Sequence, residues 1–212
     1  MSNAPDLLSA AVQHHQAGRL READELYRRL LAAQPHHPDA LHLSGVLAAQ
    51  SGDYATAVQR IQLAITQRPL DSVYHANLGL AWASQGRLSD AVPCYRRAIE
   101  LQPDNVDALH NLAVALKNLG NLDEAIELCR RTIQLRPNFA NGHNNLGLAL
   151  KQRGDLEAAA ASYSRALQLN PNYAEAHNNL GVIRRALGDT ASAIECYRRA
   201  IAAAPLHAEA HN

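Results

Sequence analysis

Four asparagines stand at a constant interval of 34 residues: Asn77, Asn111, Asn145 and Asn179. An asparagine side chain carries one acceptor oxygen and two donor hydrogens, so it can pair with both the N–H and the C=O of a peptide backbone. A regular row of such amides would hold an extended chain by its backbone while reading little of its side-chain sequence. A single asparagine would be interpreted as a surface or helix-capping residue. Four in phase favour a binding row, which we call the asparagine ladder.

The same interval governs three other residue types, and it defines the architecture. Proline, glycine and alanine each recur six times at 34-residue spacing. A fixed period of 20–50 residues indicates a repeat protein. The three series are Pro35, Pro69, Pro103, Pro137, Pro171 and Pro205; Gly18, Gly52, Gly86, Gly120, Gly154 and Gly188; and Ala23, Ala57, Ala91, Ala125, Ala159 and Ala193.

Each period is predicted to contain two helices of about 14 residues. In the period 140–173, apolar residues at helical spacing run up to Gly154, resume at Leu156 and stop at Pro171. The glycine can close the first helix in the left-handed conformation, and the residue before a proline avoids helical geometry. Helices this short are marginal alone, so stacking on neighbours must stabilise them. The residues that follow the glycines are predicted to cap the second helices: Asp53, Asn121, Asp155 and Asp189.

The pattern resembles the tetratricopeptide repeat (TPR). With position 1 at Ala4, the repeats are 4–37, 38–71, 72–105, 106–139, 140–173 and 174–207, followed by a partial seventh repeat at 208–212. The family's Leu-Gly pair, small residue at position 20, aromatic residue at position 24 and proline at position 32 are all found. Leu-Gly occurs at Leu78-Gly79, Leu146-Gly147 and Leu180-Gly181, and the aromatics are Tyr27, Tyr95, Tyr163 and Tyr197. The resemblance implies an all-α fold in a single domain, 1–212: a right-handed TPR superhelix (α-solenoid) of antiparallel helix pairs.

The resemblance also implies that the first helices line a concave groove. Positions 2, 6, 9 and 13 fall on one stripe of a helix, and the ladder occupies position 6, so we expect its four asparagines to lie on the groove and not in the core. First helices about 10 Å apart would place one asparagine per roughly three residues of an extended ligand. The candidate peptide-binding residues are Asn77, Asn111, Asn145 and Asn179, with Asp107, Asn141 and Glu175 at position 2 and Asn118 and Gln152 at position 13.

Residues 107–113 and 176–181 look like repeats of O-linked N-acetylglucosamine transferases, including their bacterial SPINDLY-like relatives. In that family an asparagine ladder holds protein substrates by their backbone, and acidic residues at position 2 face the groove. Asp107 and Glu175 match this pattern, whereas Val73 and Asn141 depart from it. No glycine-rich phosphate loop follows a strand, so we expect neither a cofactor nor catalysis from this chain, and a transferase domain would lie beyond it. The alternative is a stand-alone scaffold or assembly adaptor without an enzymatic domain.

Two other site types are disfavoured by spacing. Histidines recur at position 4, but equivalent atoms one repeat apart lie about 10 Å from each other, whereas zinc needs ligands about 2 Å from one centre. Packing between helices is therefore predicted for His75, His143, His177 and His211. A carboxylate clamp for chaperone tails needs basic residues at groove positions 5 and 9. Position 5 holds no Lys or Arg, and position 9 holds Val12, Val46, Leu80, Val114, Leu148 and Val182.

Composition and simple sequence patterns limit the classes of partner and the cellular location expected for this chain. The 212 residues carry 20 basic and 20 acidic side chains, which argues against a nucleic-acid binder driven by bulk charge. The arginine pairs at positions 25 and 26 are interpreted as a solvated outer face. No run of about 20 apolar residues predicts a membrane span, and no signal-peptide pattern opens the chain. The odd number of cysteines, 3, indicates reduced thiols in a cytoplasmic protein.

Two local irregularities are predicted. Pro93 falls inside a predicted helix, so we expect Ser89 to cap a delayed helix that places Pro93 in or just past its first turn. At the C-terminal end, the second helix of repeat 6 is followed only by the stub 208–212. Ile194, Tyr197 and Ile201 would then lack a full partner, which predicts self-association at this end or a frayed last helix.

Overall fold

The computed structural model describes residues 4–203, and within this range the protein is all-α, as predicted, with twelve helices and no strand. None of these helices is long and apolar enough to cross a membrane. Pro205, His211 and the partial seventh repeat lie outside the described residues. The helices are α1 Ala4–Gln16, α2 Leu20–Ala33, α3 Pro38–Gln50, α4 Tyr54–Gln67, α5 Ser72–Ser84, α6 Leu88–Leu101, α7 Val106–Asn118, α8 Leu122–Leu135, α9 Ala140–Arg153, α10 Leu156–Leu169, α11 Ala174–Ala186 and α12 Thr190–Ala203.

The chain divides into two compact units, of which unit 1 ends at Ala108 and unit 2 begins at Leu109. In unit 1 the helices pack in chain order, α1 on α2, α2 on α3, and so on to α6. In unit 2 the same order runs from α8 to α12. First helices of successive repeats also touch, α3 on α5 and α9 on α11. Each predicted repeat within the described range therefore contains one helix pair joined by a short turn.

The turn between paired helices follows the predicted glycine chemistry. All six period glycines have positive φ, for example 100° at Gly154, a conformation that costs glycine little because it has no Cβ. Two predicted caps are confirmed, since Asp53 and Asp189 accept hydrogen bonds from the N–H groups of Thr56 and Ser192, both at 3.1 Å. The prediction is wrong for Asn121 and Asp155, whose side chains do not cap. Asp155 instead accepts a hydrogen bond from the guanidinium of Arg153 at 2.6 Å.

The Leu-Gly motif is explained by the contact between the paired helices of each repeat. A Cβ placed on Gly79 would lie 2.7 Å from Cε1 of Tyr95, a ring that is 1% exposed. The same contact joins Gly147 to Tyr163 and Gly181 to Tyr197. The position-24 ring thus lies directly on first-helix backbone, which brings the two helices into close contact.

The expected delay at Pro93 is wrong. Helix α6 begins at Leu88, and the carbonyl of Arg87 accepts the N–H groups of Asp90 and Ala91, both at 3.1 Å. Pro93 is the sixth residue of α6, just past its first turn as predicted, but Ser89 is not the cap of this helix. The turn at Gly86 sets the helix start as it does in the other repeats. Ser89 and Pro93 are both exposed, so the carbonyl left without its helical partner can be hydrated instead of being buried unpaired.

The last described helix has an open apolar face. Ile194 is 47% exposed and Ile201 is 60% exposed. The residues at the position of Ile194 in two earlier repeats, Val58 and Ile126, are 6% and 0% exposed. The residues that follow in the chain, 204–212, lie outside the described range, so self-association at this end stays a prediction.

We predict that Gly79→Ala destabilises the protein by about 1–3 kcal/mol, because the added methyl group forces the buried ring of Tyr95 to shift. Urea unfolding followed by circular dichroism measures this change. Ser84→Ala, exposed at the end of the same helix, is the control and should stay within about 0.5 kcal/mol of the parent. Equal stability of the two variants would contradict the proposed role of the glycine.

Candidate peptide-binding surface

The candidate residues differ in how far they reach solvent. Those at positions 2 and 13 are exposed: Asp107, Asn118, Asn141, Gln152 and Glu175. Within the ladder, Asn77, Asn111 and Asn145 are half-buried, and Asn179 is only 7% exposed. The expectation that all four asparagines lie outside the core is therefore wrong for Asn179. Asn77 belongs to unit 1, and the other three ladder residues belong to unit 2.

In unit 1 the amide of Asn77 is held by a histidine of the preceding repeat. Its Nδ2 lies 2.8 Å from Nε2 of His42. An amide nitrogen can only donate, so with the amide in this orientation the ring nitrogen accepts and the imidazole carries its proton on Nδ1. His42 is 6% exposed and stacks on the ring of Tyr74 at a centroid distance of 4.4 Å. No role was predicted for His42, although the interval of 35 residues to Asn77 recurs between His110 and Asn145.

A carboxylate fixes the aromatic ring on which His42 stacks. The hydroxyl of Tyr74 donates to Oδ1 of Asp39 at 2.6 Å, and Arg68 donates to the same oxygen at 2.8 Å. Asp71 caps α5, because its carboxylate accepts the N–H groups of Val73 and Tyr74 at 3.0 and 3.3 Å. These bonds connect α3, the C-terminus of α4 and the start of α5 in one polar network.

Burial decides the charge state of His42. Loss of hydration lowers the pKa of this imidazole, and the carboxylates of Asp71 and Asp39 oppose the shift without cancelling it. Burial, followed by the hydrogen bond to Asp39, raises the pKa of Tyr74 above its ordinary value. His42 is therefore neutral near pH 7, and a neutral ring nitrogen can accept the hydrogen bond of the Asn77 amide.

In unit 2 the histidine–asparagine pair is found once, and at the next repeat the histidine is replaced. Nδ2 of Asn145 lies 3.4 Å from Nε2 of His110, and His110 packs edge-on against Phe139 at a centroid distance of 5.0 Å. At the next step the histidine position is taken by Asn144, and no described residue pairs with Nδ2 of the buried Asn179. Oδ1 of Asn144 is also unpaired, while its Nδ2 donates to Oε1 of the candidate residue Glu175 at 3.3 Å.

The position-4 histidines within the described range have hydrogen-bond partners in the chain, whereas packing between helices stays a prediction. His75, His143 and His177 each place Nε2 at 2.9 to 3.2 Å from the carbonyl oxygen of the preceding repeat's position-32 proline. A carbonyl can only accept, so each ring donates. The bond ties the first helix to the loop before it. Among residues 4–203, no group of three histidine, cysteine or acidic side chains is arranged to hold a metal ion.

Two of the cysteines, Cys94 and Cys129, are protonated at neutral pH. Burial raises the pKa of the Cys129 thiol to about 12 and that of Cys94 to about 11. A thiolate is the reactive form of cysteine, so these side chains act as small apolar groups in the core.

Apolar side chains flank the asparagine on α5. Val73 and Leu80, at positions 2 and 9 of the repeat, are 49% and 48% exposed. They stand four residues before and three residues after Asn77 and therefore lie on the same helix face. The position-9 residues Val114, Leu148 and Val182 are half-buried in unit 2. The amide of Asn77 therefore lies beside exposed apolar surface on α5.

We predict that His42→Gln weakens the pH dependence of folding stability. The unfolded imidazole takes up a proton near pH 6.5, whereas the buried ring resists protonation, so the parent protein loses stability as the pH falls through this value. The variant lacks that contribution. Urea unfolding at several pH values between about 5 and 8 measures the slopes, with Ser84→Ala as the control that keeps the parent slope. Identical slopes for the parent and His42→Gln would contradict the buried neutral state.

Comparison with known proteins places this architecture in a family. Models described as TPR repeat match residues 79–120 and 147–188, and models described as tetratricopeptide repeat match 14–79, 106–139 and 174–205. Human tetratricopeptide repeat protein 36 is 37% identical over 80 residues, and the match spans 38% of this chain and 41% of that protein.

Solved structures agree on the fold at low sequence identity. The Cut9 and Hcn1 assembly of the APC/C aligns with a TM-score of 0.80 at 18% identity, over 96% of this chain and 40% of that one. YrrB, described as a TPR protein with an unusual peptide-binding site, gives 0.72 at 18% identity, over 87% and 95%. MamA gives 0.72 at 20% identity, over 78% and 96%. The repeat register, the helix pairs and the family matches lead to one conclusion: this chain belongs to the tetratricopeptide-repeat family.

Proposed function

We propose that the chain is a protein-interaction module whose first helices bind extended peptide segments, with the asparagine ladder holding the peptide backbone. The observation that carries the proposal is the geometry at Asn77 and Asn145. Each amide uses one N–H on a histidine, the buried His42 or the half-buried His110, which leaves Oδ1 and the second N–H for a ligand. One acceptor and one donor are what a single residue of an extended peptide requires.

The surroundings of the ladder suggest how ligand side chains are received. Val73 and Leu80 offer apolar contact beside Asn77. In unit 2, Asn141, Glu175, Asn118 and Gln152 supply exposed polar groups at positions 2 and 13. Asp107, at the end of unit 1, supplies an exposed carboxylate at position 2. The two units therefore differ in the ligand side chains that they favour, whereas the asparagines of each unit pair with peptide backbone.

The wider role has two candidates. We infer that the chain is the substrate- or partner-binding region of a glycosyltransferase resembling the O-linked N-acetylglucosamine transferases, with the catalytic part outside this chain. The similarity of residues 107–113 and 176–181 to that family supports this role. The second candidate is a scaffold or assembly adaptor without an enzymatic domain. Both roles require a peptide-binding surface, so the candidate residues do not distinguish between them. Two strand–helix nucleotide-binding domains in the full-length protein would distinguish the transferase.

We expect changing Asn77, Asn111, Asn145 and Asn179 to Ala together to weaken peptide binding by more than about 100-fold. Each amide offers up to two hydrogen bonds of about 1 kcal/mol net. The probes are peptides selected on the intact chain from a phage-displayed library of unconstrained sequences. Affinities are measured by fluorescence anisotropy, after circular dichroism has shown that the variant is folded. The loss should be similar for peptides of different sequence, because the backbone is what the amides read.

The matched control changes Arg97 and Arg131 to Ala on the second helices, where no ladder residue lies. This control should bind as the parent does. The proposal fails if a folded fourfold variant binds the selected peptides as tightly as the parent, or if the arginine control loses as much affinity as the asparagine variant.

A further inference from the structure

The orientation of a ladder amide decides what it offers to a ligand. An asparagine that is free to rotate presents its oxygen and its nitrogen interchangeably, since the two ends of the amide have almost the same shape. A ligand backbone, however, has its N–H and C=O in a fixed order along the chain. An amide that is already oriented therefore binds without losing rotational freedom and favours one arrangement of the ligand.

His42 can fix that orientation at Asn77. With its proton on Nδ1, the ring has only an acceptor at Nε2, and this acceptor lies 2.8 Å from Nδ2 of the asparagine. A flipped amide would place Oδ1 against Nε2, so that two acceptors would face each other in a buried setting. His110 presents the same nitrogen to Asn145 at 3.4 Å.

Both histidines are themselves held by aromatic rings. The ring on which His42 stacks, Tyr74, is 2% exposed and is anchored through its hydroxyl to Asp39 at 2.6 Å. His110 packs on Phe139. A Cβ on Gly142 would lie 2.9 Å from Cδ1 of the Phe139 ring, so this ring is closely packed as well. Rotation of the buried His42 ring would break its stacking on Tyr74, and rotation of the half-buried His110 ring would break its edge contact with Phe139.

The third pair shows what happens without a histidine. Asn144 stands where His42 and His110 stand in earlier repeats, and its side chain is shorter. No described residue pairs with Nδ2 of Asn179 or with Oδ1 of Asn144, although these residues are only 7% and 2% exposed. The Asn144–Asn179 pair is therefore an internal comparison for the two histidine-supported amides.

We propose that His42 and His110 are positioning residues, which orient Asn77 and Asn145 so that Oδ1 accepts a ligand backbone N–H, and that Asn179 lacks this support because Asn144 replaces the histidine. The inference rests on the proposed peptide-binding function for its consequence. It rests on the hydrogen bonds within the chain for its mechanism, and the two can be tested separately.

The mechanism is tested by ¹⁵N NMR on the free chain of 212 residues. Long-range correlation spectra of ¹⁵N-histidine-labelled protein distinguish a ring protonated on Nδ1 from one protonated on Nε2. At pH 7 we expect the Nδ1–H form for His42 and His110, with Nε2 unprotonated. His42→Phe and His110→Phe assign the two signals. An Nε2–H form at either ring would reverse the amide beside it and overturn the inference for that pair.

The consequence is tested with peptides selected on the parent chain. His42→Phe keeps an aromatic ring against Tyr74 but removes the acceptor, and it should lower affinity about fivefold, the equivalent of one hydrogen bond. His42→Gln retains an acceptor oxygen and should bind more tightly than His42→Phe. In a double-mutant cycle with Asn77→Ala, the two losses should not add, because the histidine acts through the asparagine. Additive losses would overturn the positioning role.

The substitution Asn144→His should increase peptide affinity, whereas the substitutions of His42 should lower it. It should give Asn179 a partner and raise affinity about fivefold for peptides that contact unit 2. Unchanged affinity, in a variant whose new ring shows the Nδ1–H form, would contradict the inference. If the Nδ1–H forms are found but the fourfold asparagine variant binds normally, the positioning mechanism stands and the proposed function fails. If the asparagine variant loses affinity but an Nε2–H form is found, the proposed function stands and the positioning mechanism fails.

Discussion

The structure depends on the contact between a small residue on the first helix of a repeat and a large residue on the second. Tyr95 on Gly79 and Tyr163 on Gly147 leave no room for a methyl group between ring and backbone. Repeat 2 makes the same contact with a different pair, because a Cβ on Gly45 would lie 2.8 Å from Cγ1 of Ile61. This contact sets the spacing of the paired helices. Every repeat built on this contact therefore presents the same face of its first helix.

A second layer, which is polar, lies between the first helices of successive repeats. Buried polar groups destabilise a fold unless they are paired. Here pairing is achieved through side chains one repeat apart, such as His42 with Asn77 and His110 with Asn145. Asp39 extends this layer by joining Tyr74 to Arg68. The candidate peptide-binding surface is therefore continuous with the interior of each unit, and its amides are not independent surface groups.

This continuity links binding to stability in a specific way. An asparagine used only at the surface could be removed without consequence for the fold. Removal of Asn77 leaves Nε2 of the buried His42 without its donor, which costs the desolvation of that nitrogen in addition to any ligand contact. Binding and folding measurements on the ladder must therefore be made on the same variants. The unpaired Asn179 shows that the chain tolerates an imperfect member of the series.

The sequence by itself determined the repeat, the helix pairs, the left-handed glycines and the residues of the ladder, because these follow from local rules applied at a strict 34-residue interval. It misplaced the start of α6, where the turn at Gly86 overrides the preference of Pro93 for a helix start. It missed the roles of His42 and His110, and it placed Asn179 outside the core. The two histidine roles and the burial of Asn179 arise only when neighbouring repeats pack, since the partner of each side chain comes from another repeat and its burial depends on both. Local spacing determines which face of a helix a residue occupies, but the tertiary structure decides how deep that face lies and which polar atoms it pairs.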